Sequence, residues 1–78
     1  MHFRYSNRFY CQLIYEYTGV FPIRVSYAED NSKYCFYFEK ESIKAIELQL
    51  ERISKKVCEL EKADTYWNAK ESCLTLAF

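Results

Sequence analysis

The stretch Ile43-Lys44-Ala45-Ile46-Glu47-Leu48-Gln49-Leu50-Glu51-Arg52-Ile53-Ser54-Lys55-Lys56-Val57-Cys58-Glu59-Leu60 decides the fold. Ile43, Ile46, Leu50, Ile53, Val57 and Leu60 recur at alternating intervals of three and four, which sets six aliphatic side chains in one narrow helical stripe. No Gly or Pro interrupts residues 39–63, so the whole range reads as one helix. Leu48 falls opposite the stripe and is expected to face water. About 24 helical residues span ~36 Å, whereas a six-residue strand spans only ~20 Å. Such a helix either breaks near Ser54 or projects past a small sheet. In the second case Val57 and Leu60 are candidate contacts with another copy in a homodimer.

The sheet is announced just before this helix. Ile23, Val25 and Tyr27 alternate with Arg24, Ser26 and Ala28, and after Glu29-Asp30-Asn31-Ser32 comes Lys33-Tyr34-Cys35-Phe36-Tyr37-Phe38. Two alternating runs around a turn-rich tetrapeptide read as a β-hairpin. A two-residue turn at Asp30-Asn31 and a four-residue loop give the same register: Ile23 opposite Phe38, Val25 opposite Phe36, Tyr27 opposite Tyr34. That face is an apolar stripe expected to meet the core. The other face pairs Arg24 with Tyr37 and Ser26 with Cys35. A guanidinium over an exposed phenol ring contributes about 0.5–1 kcal/mol. The pair serves either as a local shield for the second strand or as part of a contact patch.

Both ends of the chain are less decisive. Across residues 6–18, Phe9, Tyr10, Leu13, Ile14 and Tyr17 follow helical spacing. Ser6 suits an N-cap and Gly19 a left-handed C-terminal stop. Strand alternation also fits (Phe9, Cys11, Leu13, Tyr15, Tyr17), but it would turn Tyr10 and Ile14 outward. The terminal signals favour the helix. At the other end, Asp64 or Thr65 suits the cap of a short helix reaching Lys70, after which residues 73–78 alternate as a closing strand. The expected fold is therefore a single α+β domain over residues 1–78, in the order α-β-β-α-β. A long helix packs on a small antiparallel sheet, with the first segment as the alternative strand.

Composition narrows the chemistry. Seventy-eight residues are half apolar and 19% aromatic, enough to build one small aromatic-rich core. Eleven basic side chains balance eleven acidic ones, so the basic excess typical of nucleic-acid binders is missing overall. Cysteines stand at 11, 35, 58 and 73 without CxxC spacing, and His2 is the sole histidine, so neither a zinc site nor a Cys–His nucleophile is expected. No cofactor is expected either: with Gly19 the only glycine, a Gly-rich phosphate loop is excluded. Glu29 and Asp30 read as turn formers, and Glu39 and Glu41 as charges suited to a helix start. No secretory leader or membrane-length apolar run is present, so the expected setting is cytoplasmic, with reduced thiols. The even cysteine count leaves a paired set open.

With no catalytic set in view, the expected function is binding. Size and composition match those of small proteins that occupy a larger partner's surface. Phage-encoded inhibitors of bacterial defence (anti-CRISPR proteins among them), antitoxins and adaptor subunits are of this kind. The analogy concerns size and composition, with no matching motif. The expected role is a stoichiometric inhibitor or adaptor of a larger protein or ribonucleoprotein. Arg24, Tyr37 and Cys35 on the outer hairpin face, with Leu48 on the outer helix face, are the candidate partner contacts. The second reading is a nucleic-acid binder using Arg4, Tyr5 and Arg8, where arginines interleave with aromatics around His2-Phe3-Arg4-Tyr5 and Arg8-Phe9-Tyr10.

Overall fold

The computed structural model describes residues 4–30 and 32–78; Met1, His2, Phe3 and Asn31 lie outside them, and with them the expected turn position at Asn31. In chain order the elements are α1 (Asn7–Thr18), β1 (Arg24–Tyr27), β2 (Lys33–Tyr37), a 3-10 turn (Lys40–Ser42), α2 (Ile43–Glu61), β3 (Asp64–Asn68) and β4 (Cys73–Ala77). The four strands form one antiparallel sheet in the order β1-β2-β4-β3.

The first segment is the helix that its end signals favour. Ser6 Oγ accepts the Phe9 N–H at 3.2 Å. Gly19 closes the helix at φ 76°, a left-handed conformation that glycine adopts without penalty, and its N–H returns to Tyr15 O at 2.7 Å. Tyr10, Leu13 and Ile14 are buried.

The long helix docks as its stripe requires. Ile46, Ile53 and Val57 are fully buried, and Leu50 and Leu60 pack against the core at partial exposure. Across the interface stand Tyr34, Phe36, Leu74 and Leu76, the inward side chains of the two central strands. The 19-residue α2 does not break at Ser54, and Lys62 ends it in the left-handed region at φ 58°. Nor does its far end project. Tyr10 near the start of α1 bonds Glu61 at the end of α2, so α1 runs antiparallel alongside and covers that end. Val57 is therefore completely enclosed by its own chain, and Leu60 is half-buried.

The β1–β2 register matches the expectation over Arg24↔Tyr37, Val25↔Phe36, Ser26↔Cys35 and Tyr27↔Tyr34. The expected Ile23–Phe38 pair does not form: Ile23 sits in a bend before β1 and its N–H bonds Tyr37 O at 2.8 Å instead. Two elements differ: the helix expected from residue 39 opens as the 3-10 turn Lys40–Ser42 before α2, and residues 64–68 form a strand rather than a short helix. Thr65, Tyr66 and Trp67 are strand formers. Pairing Thr65 with Leu76 and Trp67 with Leu74 places both on the core side. The turn that allows it is built at Asn68, whose side-chain oxygen accepts the Glu71 N–H at 3.2 Å, and at Ser72, which takes a φ of 52°. Capping potential at Asp64 and Thr65 lost to cross-strand burial.

The added strand gives the chain two αββ halves. β2 and β4, and likewise β1 and β3, stand forty positions apart. The halves join through β2 and β4, where Phe38 N–H bonds Ser72 O at 2.9 Å and Phe78 N–H bonds Ser32 O at 2.8 Å. These two bonds are images of each other about a pseudo-twofold axis through the Cys35–Thr75 pair.

Candidate functional site

In this arrangement both helices cover one side of the sheet and leave the other open. Side chains alternate across a strand, so the open side carries Arg24 and Ser26 from β1, Lys33, Cys35 and Tyr37 from β2, Cys73 and Thr75 from β4, and Asp64 and Tyr66 from β3. Three candidate contacts, Arg24, Cys35 and Tyr37, thus share one surface. The Arg24 guanidinium sits 4.1 Å from the Tyr37 ring centroid and covers one face of that ring. Leu48 is 81% exposed on the outer side of α2, in the opposite layer, and does not join them.

At the centre of the open side lies a small polar cluster. The Thr75 hydroxyl is 3.6 Å from Cys35 Sγ and 3.7 Å from Cys73 Sγ. Cys73 is only 7% exposed despite lying away from the helices. That burial is the main cause pushing its thiol up from the ordinary cysteine range, and the neighbouring Cys35 adds to it.

The arginine-aromatic start of the chain is used differently from a stacking platform. Arg4 lies over the Phe78 ring at 4.4 Å. Tyr5 stacks on Phe9 with centroids 4.2 Å apart, donates its N–H to Glu61 at 3.3 Å and accepts the Tyr34 hydroxyl on its carbonyl at 3.1 Å. These groups fasten residues 4 and 5 to the core, while Arg8 alone of the three candidates is exposed, on α1. Other cations gather in an open hollow of about 410 Å³, where Arg52, Lys55 and Lys56 of α2 face Tyr17 of α1, with Glu59 among them. Among the described residues, no three His, Cys, Asp or Glu side chains converge to hold a metal, and no helix is long and apolar enough to cross a membrane.

The most conspicuous surface involves residues expected inside. Val25 and Tyr27 do point to the helix side of the sheet, while Ile23 lies in the bend before β1; Ile23 is 63% and Tyr27 57% exposed, with only Val25 packed on the core. β1 is held chiefly by β2, and the helices stop short of it. Next to Ile23 stands Phe21, 52% exposed and stacked on Tyr15 of α1 with centroids 4.4 Å apart. Four large apolar side chains thereby line one margin of the molecule.

That margin is also a free strand edge. Ala28 N–H bonds Lys33 O at 3.2 Å, which makes Ala28, Ser26 and Arg24 the hydrogen-bonded positions of the hairpin. The N–H and C=O groups of Val25 and Tyr27 consequently point outward, unpaired by any strand of this sheet. Alternation alone did not mark this site, because it assigns a face to each residue but not the extent of the helical cover. A usable signal was the apolar excess of Phe21-Pro22-Ile23 ahead of the strand. Comparison with family models, curated proteins and solved structures finds no match.

Proposed function

We propose that this chain is a non-enzymatic protein-binding module that takes up an extended segment of a larger partner along the β1 edge. It acts in the cytosol as a stoichiometric inhibitor or adaptor. The observation that carries this reading is the conjunction along one margin of outward backbone groups at Val25 and Tyr27 of β1 with exposed Tyr27 and, in the segment leading into the strand, exposed Ile23 and Phe21. Strand addition draws affinity from main-chain hydrogen bonds and specificity from alternate side chains. A strand laid on β1 meets Tyr27 on the helix side, Arg24 and Ser26 on the open side, and Ile23 at the entrance to the strand. Arg24 and Tyr37 then form the polar rim of the contact. Zero net charge and the engaged Arg4 and Tyr5 favour a protein over a nucleic acid as partner.

The test compares capture of proteins from a lysate of the producing cells by four forms of the chain. The wild type and Leu48→Ala are expected to retain the same partner. Phe21→Ser/Ile23→Ser/Tyr27→Ser removes the apolar contacts, and Tyr27→Pro removes one outward N–H without breaking a hairpin bond. Both are expected to lose the partner at least tenfold. Leu48→Ala and the triple variant are expected to keep their stability within about 1 kcal/mol, since they alter exposed side chains. Capture that persists in the triple variant, or that vanishes with Leu48→Ala, would place the contact elsewhere. Light scattering on the isolated chain separates out a second copy as the occupant: a monomer is expected, and a dimer abolished by Tyr27→Pro would contradict a heterologous partner.

A further inference from the structure

We infer that Cys35 and Cys73 are a dithiol modification site, which a peroxide converts into a reversible disulfide bridging β2 and β4 across the open side of the sheet. Three observations meet here. The bonds from Phe38 to Ser72 and from Phe78 to Ser32 fix residues 32, 34, 36 and 38 as the hydrogen-bonded positions facing β4. Cys35–Thr75 and Tyr37–Cys73 are then the narrow, non-hydrogen-bonded pairs, in which side chains approach most closely. Cys35 and Cys73 are diagonal neighbours within that block, and both sulfurs contact one hydroxyl, Thr75 Oγ1, at 3.6 and 3.7 Å. The two sulfurs also differ in access, with Cys35 partly exposed and Cys73 buried.

The difference in access assigns the roles. The Cys35 thiolate attacks the peroxide; an S–O bond forms, the O–O bond breaks, and the departing oxygen leaves as water. The Cys73 sulfur then attacks the Cys35 sulfenic acid; the S–S bond forms as the S–O bond breaks, and the Cys73 thiol proton passes to the departing hydroxide, which leaves as water. Two thiols and one peroxide become one disulfide and two waters. Diagonal neighbours in a sheet lie about 7–8 Å apart at Cα, whereas disulfides span about 4.4–6.8 Å. Bridging therefore draws β2 and β4 together locally, and the resulting strain keeps the bond easily reduced. Such a bond suits a transient role in a reducing compartment.

The experiment is titration of the purified chain with hydrogen peroxide, followed by thiol counting and peptide mapping. Free thiols are expected to fall from four to two. The map is expected to join the peptides holding residues 35 and 73, with full reversal by millimolar reduced glutathione. Cys11→Ser/Cys58→Ser is expected to oxidise in the same way, because it keeps the pair. Cys73→Ala is expected to trap Cys35 as a sulfenic acid that dimedone labels. A map of the oxidised wild type that joins any other cysteines, or that shows only overoxidised Cys58, overturns the assignment without recourse to a variant.

Discussion

Phe36→Ala is expected to cost the domain about 3–5 kcal/mol, the range for truncating a fully buried aromatic. Phe36 is completely enclosed. It stands on the inner face of β2 with Val25 opposite on β1 and Leu74 opposite on β4, and its ring meets Tyr34 edge-on at 6.3 Å. Its strand neighbours on both sides are fixed in register, so the surroundings can relax only partly into the space. At roughly 0.05–0.15 kcal/mol per residue, a chain this size has about 4–12 kcal/mol of stability in all. The loss is thus a large share of the total and should lower Tm by about 15 °C or more. Urea unfolding checks it: the midpoint should drop with an unchanged slope. A change under 1 kcal/mol would mean that the helices do not pack on this face.

The second large effect is expected from Glu61→Ala, at about 2–4 kcal/mol. The Glu61 carboxylate accepts both the Tyr10 hydroxyl and the Tyr5 N–H, so one side chain joins the end of α2 to the start of α1 and the segment before it. Hydrogen bonds to a charged acceptor contribute about 1.5–3 kcal/mol, and removing the acceptor leaves a buried phenol without a partner at a further cost. Tyr10→Phe removes the phenol as well and is expected to cost less than Glu61→Ala. A double-mutant cycle should therefore show coupling between the two sites.

The same pair predicts a signature in pH. Burial first, then the adjacent Glu61 carboxylate, holds the Tyr10 phenol well above the ordinary tyrosine range. In the unfolded chain a tyrosine loses its proton near pH 10 while folded Tyr10 keeps it, so the native state binds more protons above that pH. Stability from this group is complete below pH ~10 and falls above it by up to about 1.4 kcal/mol per pH unit. The slope should be shallower in Tyr10→Phe, which denaturant titrations at pH 9 and pH 11 will read.

Much of the fold was legible because its signals were redundant. The Ile43-to-Leu60 stripe, the absence of Gly and Pro, and the apolar row Tyr34-Phe36-Phe38 each point to the same docked helix. The hairpin register followed from alternation alone. Residues 64–68 were misread because their local capping chemistry is sound, and only the distant partner β4 makes them a strand. The repeat of αββ halves was hidden for a different reason. At the forty-residue offset only Ser32/Ser72 and Phe38/Phe78 are identical. What the halves share is hydrogen-bond geometry, which leaves little trace in residue types.

The candidate site was legible in part. Alternation put Arg24, Cys35 and Tyr37 on one face, and there they lie. It could not separate a row that points toward the helices from one the helices cover. Tyr27 belongs to the first kind, Phe36 and Leu74 to the second. How far α1 reaches depends on its stop at Gly19 and on its packing against α2, both properties of the assembled molecule.

Residue-resolved amide hydrogen exchange on the isolated chain examines the β1 margin itself. Arg24, Ser26 and Ala28, bonded to β2, should exchange slowly, while Val25 and Tyr27 between them should exchange close to the rate of an unprotected amide. Equal protection along all five residues would show that this edge is already occupied and has nothing to offer a partner.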